Sequence, residues 1–184
     1  MKKRLKKIKN QGFTLVELIV VLGVLGILLA GTLAVINPFD KISQGNDTRR
    51  KSDLETIQKA LELYYNDNNQ YPSAATGCPS SGSGYSSGIH DAAQNKDICP
   101  GDSWTPYISK LPADPSNPSK WYVYVPDPSG QAYKLYTSLD RGIKDTQVCN
   151  SDGSKCGGVP INVFCGSNSN TCNYGVSSPN VSPN

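Results

Sequence analysis

Residues 13–36 form an apolar run of 24 interrupted by one charge, Glu17, and a chain of 184 residues has no core large enough to swallow it. As an α-helix the run measures about 36 Å, enough to cross a hydrocarbon layer of about 30 Å with some tilt. The apolar stretch of a secretory signal is shorter, about 7–15 residues, and Thr32-Leu33-Ala34 is a weak match to its small-x-small cleavage site. The run is therefore read as an anchor that is retained. Lys2, Lys3, Arg4, Lys6, Lys7 and Lys9 precede it, a basic flank that holds the N-terminus in the cytoplasm. These six also create the net charge of +3. Without them 12 of the 18 basic side chains face 15 acidic ones, a balance of −3, and no nucleic-acid partner is expected. Arg49, Arg50 and Lys51 remain as a cluster and read as a solvated helix face.

Behind the anchor the pattern changes. Asn37-Pro38 marks a break, because proline lacks the N–H and clashes with the preceding turn. Residues 37–70 read as an amphipathic helix with Leu54, Ile57, Leu61 and Tyr64 on one stripe, a regular start at Asn46 or Asp47, and a stop at Asn68, Asn69 and Pro72. Trp121–Val125, the turn PDPSG, and Tyr133, Leu135 and Thr137 then read as a β-hairpin. A helix stripe and a half-apolar hairpin need each other for burial, so the fold class is α+β: a long N-terminal helix, half transmembrane and half amphipathic, packed on a small antiparallel sheet with disulfide-closed loops. The expected divisions are a basic leader (1–12), a transmembrane and assembly helix (13–36), the amphipathic helix (37–70), a globular head (71–172) and a disordered tail (173–184). Within the head, residues 73–103 read as a Ser/Gly-rich loop.

All six cysteines, Cys78, Cys99, Cys149, Cys156, Cys165 and Cys172, follow the anchor, which points to disulfides in an oxidising compartment. Zinc is disfavoured because there is no C-x-x-C and His90 is the single histidine. Cys78 with Cys99, and the two C-x6-C loops closed on themselves, are the favoured pairs, although spacing alone leaves the connectivity open.

Glu17 remains to be explained. A carboxylate inside a bilayer helix costs about 2.5–3.5 kcal/mol, so it calls for a cation. Cutting the chain between Gly12 and Phe13 would remove the basic leader and create an α-ammonium on Phe13, four residues from Glu17. That amine could neutralise Glu17 in the same chain or in an adjacent copy. The basic leader, Gln11-Gly12, and Phe13-Thr14-Leu15-Val16-Glu17-Leu18-Ile19-Val20-Val21 together resemble the type III signal of the type IV pilin superfamily. KALELYYNDNNQYP is similar to the continuation in major pseudopilins. The resemblance implies cleavage after Gly12 by a prepilin peptidase, N-methylation of Phe13, and assembly through Glu17. Family members usually carry a proline four residues before Pro38, where this chain has Ala34. Implied partners are copies of the chain and related pilins in a helical filament, the peptidase, an inner-membrane assembly platform and the lipid bilayer. The implied location is the inner membrane, single-pass, with the head extracytoplasmic or on a surface filament. Major secretion pseudopilins hold Ca²⁺ in a loop comparable to that carrying Asp140 and Asp145, so these two are weak calcium candidates; no other cofactor is expected.

Gly84-Tyr85-Ser86-Ser87-Gly88 matches G-x-S-x-G, but no strand precedes it and His90 comes before most of the available acids, so Ser86 and His90 are read as loop residues and the chain as no enzyme. The main reading is a structural subunit of a membrane-anchored filament, a type IV pilus or a relative of it. The alternative is a type II secretion pseudopilin acting in protein export, and the second alternative a singly anchored surface binding module. LYYNDNNQYP favours the pseudopilin; three disulfides and extended C-terminal loops favour a surface pilus.

Overall fold

Asn37 and Pro38 end one helix and begin the next. The computed structural model describes residues 12–35, 37–78, 86–167 and 169–184, with backbone alone at 33–35. Helix α1 (Leu15–Val35) runs through residue 34 without interruption, and α2 (Pro38–Asn68) follows. The Asn37 side-chain oxygen accepts from the backbone N–H of Phe39 (3.2 Å) and Asp40 (3.4 Å), and Pro38 occupies the first helical position, where its missing N–H costs nothing. The start expected at Asn46 or Asp47 is therefore too late by about two turns. The chain divides into two compact units, residues 1–41 and Ile42–Asn184.

In the second unit, α2 presents Leu54, Ile57, Ala60, Leu61 and Tyr64 to the core. Two antiparallel sheets accompany it. The first joins β1 (Ser73–Ala74), β2 (Ile89–Asp91) and β3 (Lys96–Ile98); the second joins β4 (Val123–Pro126), β5 (Tyr133–Thr137) and β6 (Tyr174–Ser177). β4 and β5 are the expected hairpin, with Val123 opposite Tyr136 and Val125 opposite Lys134. Its turn is closed by the Gly130 N–H on the Asp127 carbonyl (2.9 Å), and Gly130 adopts φ +69°, which suits glycine.

One face of the second sheet meets α2. Tyr122, Tyr124, Tyr133 and Leu135 share a buried cluster with Leu54, Ile57, Leu61 and Tyr64. Tyrosine hydroxyls pin helix to sheet at its polar margin: Tyr122 donates to Asp53 (2.7 Å), while Tyr71 (2.9 Å) and Tyr133 (3.0 Å) both donate to Glu62. The opposite face, with Val123 and Tyr136, lies under Val159, Cys156, Cys165 and Cys172. Both faces are covered, which is why β5 is buried almost throughout instead of alternating.

Three expectations are corrected. Residues 73–103 are not simply a loop, since they contain the first sheet; Trp104 Nε1 donates to Asp91 (2.8 Å) beneath it, both side chains fully buried. The segment 173–184 is not uniformly a free tail, because Tyr174–Ser177 pairs with β5 as the third strand, Gly175 opposite Tyr136. Nor is Arg50 on a solvated face. It is 0 % exposed and bonds Asp114 through Nε (2.8 Å) and Nη2 (3.2 Å), and Asp47 and Asp140 through Nη1 (2.8 Å each). Buried charge survives only when paired and hydrogen-bonded, and the fork geometry of arginine meets three carboxylates at once. Arg49 does remain exposed.

Candidate functional site

The first described turn of the chain holds the residues to which the resemblance assigns processing and assembly. Thr14 is the cap of α1 and Glu17 its third helical residue. The Glu17 N–H donates to Thr14 Oγ1 (3.2 Å), and Glu17 Oε2 accepts from both the Thr14 N–H (2.9 Å) and the Thr14 hydroxyl (2.8 Å). This is a reciprocal capping box, which satisfies two of the N–H groups that a helix start leaves without partners. The negative charge also sits at the positive end of the helix dipole. The capping role of Thr14 has a sequence signature of its own, T-x-x-E ahead of an apolar run. Gly12 and Phe13 are exposed beside it, Phe13 by 89 %.

Beyond the box, α1 has no polar face. Every residue from 12 to 32 is exposed, and within the helix from Leu15 onward the large apolar side chains range from 47 % at Leu25 to 75 % at Ile27. Each such side chain gains about 1.5–3 kcal/mol on leaving water, so this rod is stable only in lipid or among other apolar helices. Its 21 residues span about 32 Å. By length and composition it can cross a membrane, and Glu17 is its single ionisable residue.

The other singled-out residues lie in the head. The cysteines pair as Cys78–Cys99, Cys149–Cys156 and Cys165–Cys172, the favoured connectivity. Asp140 and Asp145 are each engaged by the chain's own cations. Asp140 takes Lys120 on Oδ1 (2.6 Å) and Arg50 on Oδ2 (2.8 Å); burial alone would raise its carboxyl, but these two cations hold it below the usual value. Asp145 takes Lys51 on Oδ2 (2.6 Å) and the Gln147 N–H on Oδ1 (2.9 Å), and is likewise held low against the effect of burial. Ser86 is 1 % exposed and bridges to Tyr124, while Gly84 and Tyr85 lie outside the described residues. His90, expected in a loop, stands on β2 with Nδ1 2.6 Å from Asp97 on β3.

A model of the prokaryotic N-terminal methylation motif matches residues 7–33. The family described as type II secretion system (T2SS), protein G, matches residues 37–153. The chain belongs to that protein G family. Among its relatives are type II secretion system core protein G of Pseudomonas aeruginosa, 33 % identical over 130 residues, covering 70 % of this chain and 82 % of the relative. The core protein G of Escherichia coli is 30 % identical over 139 residues, 76 % of this chain and 88 % of the relative. That of Vibrio cholerae is 27 % identical over 157 residues, 83 % and 89 %. No solved structure matches the chain. Protein G is a structural pseudopilin family and not an enzyme family. Its match favours the secretion pseudopilin, the alternative in the sequence reading, over the type IV pilus of the main reading.

Proposed function

We propose that this chain is a pseudopilin subunit of a type II secretion system, anchored in the membrane by α1 and assembled through the same helix into a filament that acts in protein export. The protein G match over residues 37–153 carries this reading. The all-round apolar α1 supports it physically, because one surface can serve twice, first against lipid and then against neighbouring subunits in a non-closing helical array. The methylation motif over residues 7–33 supports processing between Gly12 and Phe13 by a prepilin peptidase, with methylation of the new Phe13 amine. That amine, on the next subunit, is the counter-ion for Glu17. The box uses Oε2 of Glu17, and Oε1 is the oxygen offered to the incoming cation.

Intact mass and N-terminal peptide analysis of the native protein tests the processing step. The expected N-terminus is methylated Phe13; a chain still beginning at Met1, or trimmed near residue 35, overturns it. Glu17→Ala tests assembly. The variant is expected to stay in the membrane and to lose filament crosslinks and secretion, whereas an anchored binding module would keep its activity.

A further inference from the structure

Calcium-binding loops use carboxylate, carbonyl and amide oxygens, about six to eight per ion, and the loop after β5 was the candidate for such a site. The oxygens there are of the right kind, yet they already surround ammonium groups. Lys120 Nζ donates to the Ser138 carbonyl (3.1 Å) and to Asp140 Oδ1 (2.6 Å). Lys51 Nζ donates to Asp145 Oδ2 (2.6 Å) and to the Gln147 amide oxygen (2.7 Å), and lies 5.3 Å from the centre of the Tyr174 ring. Both lysines are mostly buried, 13 % and 18 % exposed. Arg50 takes the second oxygen of Asp140, and the remaining oxygen of Asp145 accepts the Gln147 N–H. Asp47, fixed by Arg50, also accepts the N–H groups of Asp140 (2.7 Å) and Arg141 (2.9 Å), so the same network grips the loop backbone. Four acids, Asp47, Asp114, Asp140 and Asp145, thus face Arg50, Lys51 and Lys120, with Arg141 as a further positive charge acting on Asp145. Among the described residues no three His, Cys, Asp or Glu side chains group together as metal ligands. A divalent ion would have to displace a tethered ammonium and then sit beside Arg50, with repulsion that the low local dielectric strengthens.

We propose that Lys120, tied through Asp140 to the Arg50 network, and Lys51, next to Arg50 in sequence and paired with Asp145, replace a divalent cation in this head, so that the loop after β5 is fastened independently of calcium. The cations are part of the chain, and they cannot be lost by dilution or chelation. This fastening is a property of the head and does not depend on how the subunit assembles.

The test uses the full chain in detergent micelles. Equilibrium dialysis with radioactive calcium is expected to show no stoichiometric ion; one tightly held ion per chain overturns the proposal. Limited trypsin digestion, followed by mass spectrometry, reads opening of the loop at Arg141 and Lys144. Cleavage there is expected to proceed at the same rate in calcium and in EGTA, and faster cleavage in EGTA overturns the proposal. Lys120→Met should raise the cleavage rate about tenfold in both buffers, because digestion follows the population of the open loop. Unchanged cleavage shows that the ammonium fastens nothing. Lys51→Met, nearer the surface, supplies the same measurement should Lys120→Met fail to fold.

Discussion

Arg50 holds together segments distant in sequence: α2 itself, Asp114 before the second sheet and Asp140 after β5. Removing it leaves Asp114, whose side chain is 0 % exposed, without its cation, and takes the cation from Asp47 as well. Arg50→Ala is therefore expected to cost about 3–5 kcal/mol, the range for breaking a buried pair by deleting one member, measured by chemical unfolding. Arg49→Ala, one residue away and exposed, should cost under about 1 kcal/mol. Asp97 gives a pH signature at the same scale. His90 beside it, with the N–H groups of Gly77 and Thr76, holds its carboxyl below 3.8. A carboxyl depressed by folding contributes its stabilisation above the unfolded value and loses it as pH falls through the folded one. An NMR titration of the Gly77 amide, which donates to Asp97 at 2.7 Å, should have its midpoint below 3.8; a midpoint at or above that value refutes the contact.

Strand β6 is the element that polar composition concealed. Its residues are half-buried, and the chain around it is rich in Ser, Asn and Pro, so no apolar alternation announces it. It is held by pairing with β5 and by a close approach in which Gly175 lies over the Tyr136 ring; a Cβ at that glycine would stand 2.6 Å from the ring. Gly175→Val should accordingly detach the strand, seen as lost amide protection from 174 to 177. The Cys165–Cys172 ring lies next to it, and Cys165 and Cys172 are both 0 % exposed over Val123 and Tyr136. Replacing that pair with serines should cost about 2–3 kcal/mol from the chain entropy of so short a loop, and more through the buried hydroxyls. The Leu54 stripe and the β4–β5 hairpin were legible because apolar periodicity reports burial directly. Arg50 was legible only in hindsight: Asp47, Arg50, Leu54, Ile57, Leu61 and Tyr64 fall on one three-four spacing, but the charge conceals a buried position unless its distant acids are known. The first sheet was hidden for a related reason, since strands of two or three residues carry too little pattern to read.

For the molecule as a whole, α1 decides solubility. A helix exposed from Leu15 to Thr32 and apolar on every side of that span should keep the chain with the membrane through alkaline carbonate extraction, and release into the soluble fraction would mean that α1 had been cleaved off. The Thr14–Glu17 box bears on the proposed processing at the Gly12–Phe13 peptide. Both members, and every N–H they share, lie on the side of the Gly12–Phe13 peptide that stays with the helix. Proteolysis at that bond would not have to rebuild the start of the rod. On the proposed processing, precursor and trimmed subunit would share one folded end and differ by the leader and by the charge at Phe13, so that membership in the polymer would be switched by a proton-binding nitrogen appearing, with that end already folded.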